Sequence, residues 1–271
     1  LSLLGANDNK GGGTKQLSRV TVNKGGEAKE LLVVNTKLDV ASEQLLYEGG
    51  IGPCFHIFAG MNLRKFVFNP FQENTYVIWD EEKNCAIIDP GCSDEHERME
   101  LTNFIEKEGL NPVKLLNTHC HIDHVLGNRF MAEKYNLGLE MHKLDLPVLN
   151  AVPNYGATFG FDTGPMIQPS TFLEAGQVIH VGDIDLKIIH VPGHSPGSIC
   201  FYHEASKQVI SGDALFYGSI GRTDLPGGNH HQLIAAIKDR LFTLPNDVKV
   251  HSGHGPATTI GFEKAHNPFL Q

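Results

Sequence analysis

The chain has 271 residues, 41% of them hydrophobic, and a formal net charge of −9. The length suits a single α/β domain with an appendage, and the apolar content is enough for a sizeable core. The acidic balance argues against a general nucleic-acid binder, which needs a basic face; no apolar run approaches the ~18–20 residues of a bilayer span, and the N-terminus lacks a secretory signal's basic patch and apolar core.

Residues 1–60 differ in texture from the rest. They carry Gly11-Gly12-Gly13, Gly25-Gly26 and Gly49-Gly50, many polar residues and one short apolar run, Leu31 to Val34. They are expected to be a disordered or accessory extension, or a translated leader, since Met61 stands where a start codon would suit. Limited proteolysis checks this: a protected fragment beginning well before residue 50 would speak against it. Residues 61–271 are expected to be the working domain.

Arg64 to Asn69, Thr75 to Trp79 and Cys85 to Ile88 read as strands, the third ended by Asp89-Pro90-Gly91. Asp94 with Glu97 fits a capping box; Met99, Leu101, Phe104 and Ile105 supply a helix face that Gly109 ends. Val113 to Leu116 is a short strand, Val125 to Tyr135 a helix and Leu139 to His142 a strand. Residues 147–169, rich in Pro, Gly and aromatics, read as one long irregular segment. Strands follow at Val178–Val181, Ile184–Val191, Ser198–Tyr202 and Gln208–Ser211, then a helix from about His231 to Leu241 and a strand at Val248–Val250. Strands precede a helix in each half, which suggests two similar halves with sheets facing each other and helices outside.

The five cysteines, Cys54, Cys85, Cys92, Cys120 and Cys200, are odd in number and scattered. A disulfide framework is not expected, and reduced thiols of a cytoplasmic protein are.

His119-Cys120-His121-Ile122-Asp123-His124 places four metal-type ligands within six residues,. Alternation along an extended segment puts His119, His121 and Asp123 on one side and turns Cys120 and Ile122 away; His124 joins them if the chain turns into the following helix. Cys120 is thus read as packing into the core rather than as a catalytic thiol. Three further segments end a predicted strand with a ligand-type residue beside glycine: Gly193-His194, Gly212-Asp213 and Gly253-His254. Glycine allows tight turns and close backbone approach there. His142, His190, His203, His230, His231 and His251 read as surface or supporting residues.

The pattern resembles the metallo-β-lactamase superfamily, matched in order from about residue 62 to 256. Pro192-Gly193-His194-Ser195-Pro196-Gly197-Ser198, Gly212-Asp213-Ala214-Leu215-Phe216 and Gly221-Arg222-Thr223-Asp224 make it most similar to the glyoxalase II-like, hydroxyacylglutathione hydrolase group. The resemblance implies an α/β fold, an αββα four-layer sandwich, with metals at the edge of the two sheets. It implies one divalent metal ion on His119, His121 and His194, a second on Asp123, His124 and His254, and Asp213 bridging them; zinc is expected, with iron or manganese as alternatives. Class B1 β-lactamases resemble the chain less, having cysteine where Asp213 falls, and B3 enzymes lack the bridging carboxylate.

The implied reaction is thioester hydrolysis through a metal-bound hydroxide, two ions about 3.5–4 Å apart lowering the pKa of a shared water from 15.7 to about 7. Asp123 would orient the hydroxide or shuttle a proton. Two ions with Asp123, Asp213 and a hydroxide leave a site near about +1, which suits an anionic small-molecule thioester. Arg222 with Asp224 reads either as a substrate-carboxylate site or as an ion pair bracing its loop. Phe159, Phe161 and Met166 either line a substrate pocket or simply pack. Seventeen residues follow His254, where full-length glyoxalase II enzymes carry a helical extension that contacts glutathione, so looser recognition is expected. The alternatives are a persulfide dioxygenase with one iron on His119, His194 and Asp213, and a lactonase or phosphodiesterase on the same ligands. No nucleic-acid or membrane partner is expected, and oligomeric state stays open.

Overall fold

The computed structural model describes the backbone of residues 15–24, 27–36 and 44–46 and all of residues 60–271. The chain divides into two units, Leu1–His56 and Ile57–Gln271. In the first, β1 (Lys15–Lys24), β2 (Glu27–Thr36) and β3 (Gln44–Leu46) form an antiparallel meander. The predicted run Leu31 to Val34 lies in β2; Cys54 and the remainder of this extension lie outside the described residues.

The second unit contains two six-stranded sheets. One is built in sequence order from β4 (Asn62–Phe68), β5 (Glu73–Trp79), β6 (Asn84–Ile88), β7 (Asn111–Leu116), β8 (Leu139–His142) and β9 (Thr171–Leu173). It is antiparallel from β4 to β6 and parallel from β6 to β9. Parallel pairing needs crossovers, and these carry α1 (Glu95–Lys107), α2 (Ile122–Val125), α3 (Asn128–Tyr135) and α4 (Leu146–Tyr155). The other sheet has the order β10-β11-β12-β13-β16-β17, from β10 (Val178–Val181), β11 (Ile184–His190), β12 (Ile199–His203), β13 (Gln208–Gly212), β16 (Lys249–Ser252) and β17 (Thr258–Thr259). A two-stranded ribbon, β14 (Leu215–Phe216) and β15 (Ser219–Ile220), and α5 (His230–Ala236) fill the β13–β16 crossover; α6 (Ile260–His266) follows β17.

Strand alternation sorts side chains into three cores. Ile78, Ile88 and Leu116 of the first sheet meet Leu186, Ile188 and Phe201 of the second between the sheets. Their neighbours Val77, Ile87 and Leu115 face outward and pack with Leu101, Met131 and Leu149 of the helices. On the far side Cys200, Val209 and Val250 pack under Leu233 and Ile237. The expected αββα sandwich is thus present.

Three local expectations are corrected. Asp94 does cap α1, Oδ1 accepting from Glu97 N at 2.9 Å, but Glu97 does not complete the box. Its carboxylate accepts from Ser93 N and Oγ at 2.7 and 2.9 Å and from Asn69 N at 2.5 Å, fastening α1 to the β4–β5 turn. The predicted Val125–Tyr135 helix is two helices, because Gly127 N–H donates to Pro90 O at 2.7 Å and leaves the helical ladder. Residues 147–155, read as irregular, belong to α4: Pro147 sits in its first turn, where proline's missing N–H costs nothing, and Pro153 only near its end,.

Candidate metal centre

The ligand-type residues lie where the strands of both sheets end. Beyond the end of β7 the chain bends at Thr118 and runs through His119 to an extended His121, then turns into α2, carrying Asp123 and His124. His194 sits between β11 and β12, Asp213 directly after β13 and His254 two residues after β16. Two glycines allow this convergence: a Cβ on Gly212, whose φ is +50°, would lie 2.3 Å from Thr118 Oγ1, and one on Gly253 2.1 Å from Asp213 Oδ1.

The seven predicted ligands come together. His194 Nε2 lies 3.2 Å from His119 Nε2 and 2.9 Å from His121 Nδ1. His254 Nε2 lies 3.1 Å and His124 Nε2 3.7 Å from Asp123 Oδ2. Asp213 stands between these triads: Oδ2 is 3.5 Å from both His194 Nε2 and His254 Nε2, and Oδ1 is 3.4 Å from His124 Nε2. Two of these buried atoms, His124 Nε2 and Asp213 Oδ1, have no hydrogen-bond partner. Native proteins rarely leave such atoms unsatisfied. Orphaned atoms inside an imidazole–carboxylate donor set fit divalent cations.

Four of the five imidazoles are held from behind, which fixes which nitrogen faces the centre,. His194 Nδ1 is 2.8 Å from Arg222 O and His254 Nδ1 3.2 Å from Gln72 O. His124 Nδ1 is 3.1 Å from Asp89 Oδ2. His119 Nδ1 is 3.1 Å from Thr118 Oγ1, which itself donates to Asp89 Oδ2 at 2.5 Å. Asp89 also accepts from Thr118 N at 2.7 Å and Asn117 Nδ2 at 3.2 Å. With its lone pairs so engaged, Asp89 orients ligands rather than serving as one. Sequence reasoning gave it no role beyond a strand end; its place beside the start of the His/Asp run follows from the β6–β7 pairing. Glu73 was missed as well: fully buried, its pKa is pushed up by burial, and Oε1 lies 3.8 Å from His124 Nδ1.

Electrostatically the triads differ. Burial lowers the pKa of His119, and burial followed by His194 lowers that of His121 to about 3, so both stay neutral,. Burial also opposes charge on His124, but Asp123 and Asp213 outweigh it and raise its pKa. Asp123 and Asp213 are lowered despite their burial, chiefly by His124.

Cys120 is fully buried, its Sγ 3.5 Å from Met141 Sδ, and burial raises its pKa. Cys85, Cys92 and Cys200 are likewise buried free thiols. The Arg222 guanidinium forms a bidentate pair with Asp224 at 2.8 and 2.7 Å in an exposed loop, so it is the Arg222 backbone that touches the site. Phe159 and Phe161 pack against Phe71 at 5.5 and 6.1 Å between ring centroids, and Phe161 and Met166 line a cavity of about 340 Å³ with Leu126, just past α2. His251 packs under the Tyr76 ring, its Nε2 2.9 Å from Gln208 Oε1, outside the centre.

Residues 68–254 match the family model of the metallo-beta-lactamase superfamily. The hydroxyacylglutathione hydrolase GloC of Haemophilus influenzae is 40% identical over 214 residues, covering 78% of this chain and 98% of that protein. Among solved structures, the BLEG-1 B3 metallo-beta-lactamase superposes with a TM-score of 0.70 at 33% identity, over 78% of this chain and 100% of the other. TTHA1623 in a di-iron-bound form superposes with a TM-score of 0.69 at 39% identity, over 76% of this chain and 100% of the other. The chain belongs to the metallo-beta-lactamase superfamily, in agreement with its sandwich fold and the convergence of its histidines and aspartates.

Proposed function

We propose that this chain is a dinuclear metal-dependent hydrolase acting on hydroxyacylglutathione-like thioesters, with residues 1–60 as an accessory extension and the cytoplasm as its setting. The observation that carries the reading is Asp213, whose two oxygens face His124 on one side and His194 and His254 on the other at 3.4 to 3.5 Å. The similarity to GloC supports the thioester class. The di-iron form of TTHA1623 supports two metals and favours keeping iron, already an alternative to zinc, among the candidates.

His119, His121 and His194 would hold one divalent cation, and Asp123, His124 and His254 the other. When bound, the pair would supply Lewis acidity and bring the pKa of a bound water to about 7. Asp123, held below the usual carboxylate range, would accept a hydrogen bond from the attacking water and could pass its proton to the departing sulfur,. Water's oxygen bonds to the carbonyl carbon, the C–S bond breaks, and acid and thiol leave. Phe71, Phe159 and Phe161 offer an aromatic wall to the acyl or thiol portion. Bound metal and S-lactoylglutathione turnover, assayed against a simple lactone and a phosphodiester, test the reading. Rates with only the latter two would reject the thioesterase. One iron per chain with glutathione-persulfide-dependent oxygen uptake would make it an oxygenase.

A further inference from the structure

Asp145 is fully buried at the start of α4 and touches none of the ligand imidazoles by hydrogen bond. Among the described residues it has no cationic partner within salt-bridge distance. A carboxylate so placed is costly unless its lone pairs are filled. They are filled from two loops that spring from opposite sheets. Cys120 N–H, flanked by His119 and His121, donates to Oδ2 at 2.7 Å. Gly197 N–H donates to Oδ1 at 2.5 Å, and Ser195 Oγ donates to the same oxygen, both just beyond His194. The backbone approach is close: a Cβ on Gly197 would lie 2.6 Å from Asp145 N. One carboxylate therefore ties together the loops that carry His119, His121 and His194. On the His/Asp run its bond ends at Cys120, before α2 carries Asp123 and His124, and no hydrogen bond joins it to the loop of His254.

We propose that Asp145 is a positioning residue that holds the all-histidine triad in register across the two sheets, so that cation affinity there depends on a carboxylate that never touches the cation. This rests on the reading of those three histidines as ligands. An amide cannot substitute, because the side chain introduced by D145N would turn an N–H₂ donor toward the N–H of Cys120 or of Gly197.

The test is chelator competition with Co²⁺ on the full-length chain, read by metal stoichiometry and by the visible Co²⁺ spectrum. D145N is expected to weaken one equivalent about 10–100-fold and leave the other within roughly 3-fold. The band it loses should be the band lost in H121A. In turnover, kcat should fall with KM little changed. S195A, which removes one of three bonds, should shift the same equivalent by a smaller factor. Equal weakening of both equivalents in D145N, or no weakening, would overturn the clamp; if D145N fails to fold, S195A with wild-type affinities would do so. A wild-type chain that takes up no Co²⁺ would instead overturn the ligand reading itself.

Discussion

The two candidate ligand triads use similar residues in opposite electrostatic settings. His119, His121 and His194 carry no carboxylate of their own, and burial keeps His119 and His121 neutral, ready to donate lone pairs. Asp123, His124 and His254 gather negative charge: Asp123 and Asp213 flank His124 in front and Asp89 behind, so that His124 and His254 favour positive charge in place. The supports differ correspondingly. The first triad is held by neutral oxygens of Thr118 and Arg222 and by loop geometry, whereas His124 in the second is backed directly by a carboxylate. Under the proposed function such asymmetry would help, because Asp123, the carboxylate proposed to handle the proton, belongs to one side only.

The largest expected effect abolishes the comparison. Asp213 faces both triads, so Asp213→Ala should cost roughly 10³-fold or more in turnover and loosen both metal equivalents; full retention of either equivalent would show that Asp213 is not shared. Asp123→Asn tests the side assigned to proton handling. A drop in kcat of about 10²-fold with KM within a few-fold is expected, and near-wild-type turnover at full metal occupancy would end that assignment. Asp89→Asn probes the carboxylate backing. It should weaken the equivalent on the second triad by about 10-fold or more, the usual scale for an outer carboxylate, and the first triad less, since Asp89 reaches His119 only through Thr118; isothermal titration of the two equivalents decides.

The smallest effect separates ligands from histidines that are merely buried. Burial, with Lys249 and Lys65, lowers His251 to about 4. Its folded pKa lies below the unfolded ~6.5, so its contribution is present above pH 6.5 and is lost as pH falls toward 4. At ~1.4 kcal/mol per unit this is about 2 kcal/mol at pH 5. His251→Gln should lose correspondingly less stability between pH 7 and pH 5 in urea unfolding with metal chelated, while metal stoichiometry at pH 7 stays at two.

Much of this was legible in the sequence because it is local. Short apolar runs in β5, β6 and β12 and the alternation of β11 marked strands of both sheets, and the spacing of His119 to His124 marked a metal-type run,. Where local rules failed, tertiary partners had taken over. Pro147 and Pro153 disguised α4, Gly127 gave its N–H to Pro90, and Glu97 left its own box to bind Ser93 and Asn69. Of the two readings of Arg222, a substrate site or an ion pair with Asp224, the structure shows the pair, and only the fold reveals that the Arg222 carbonyl steadies His194.

The sequence by itself determined the inventory of candidate ligands, since residue type and strand-end position are written in the chain. Only the tertiary structure decided which ligands share a pocket, and which lone aspartates, Asp89 and Asp145, stand behind them. Those two carry no periodicity or motif. Their roles come from hydrogen bonds to residues 25 to 52 positions away, and such pairings exist only once both sheets have packed.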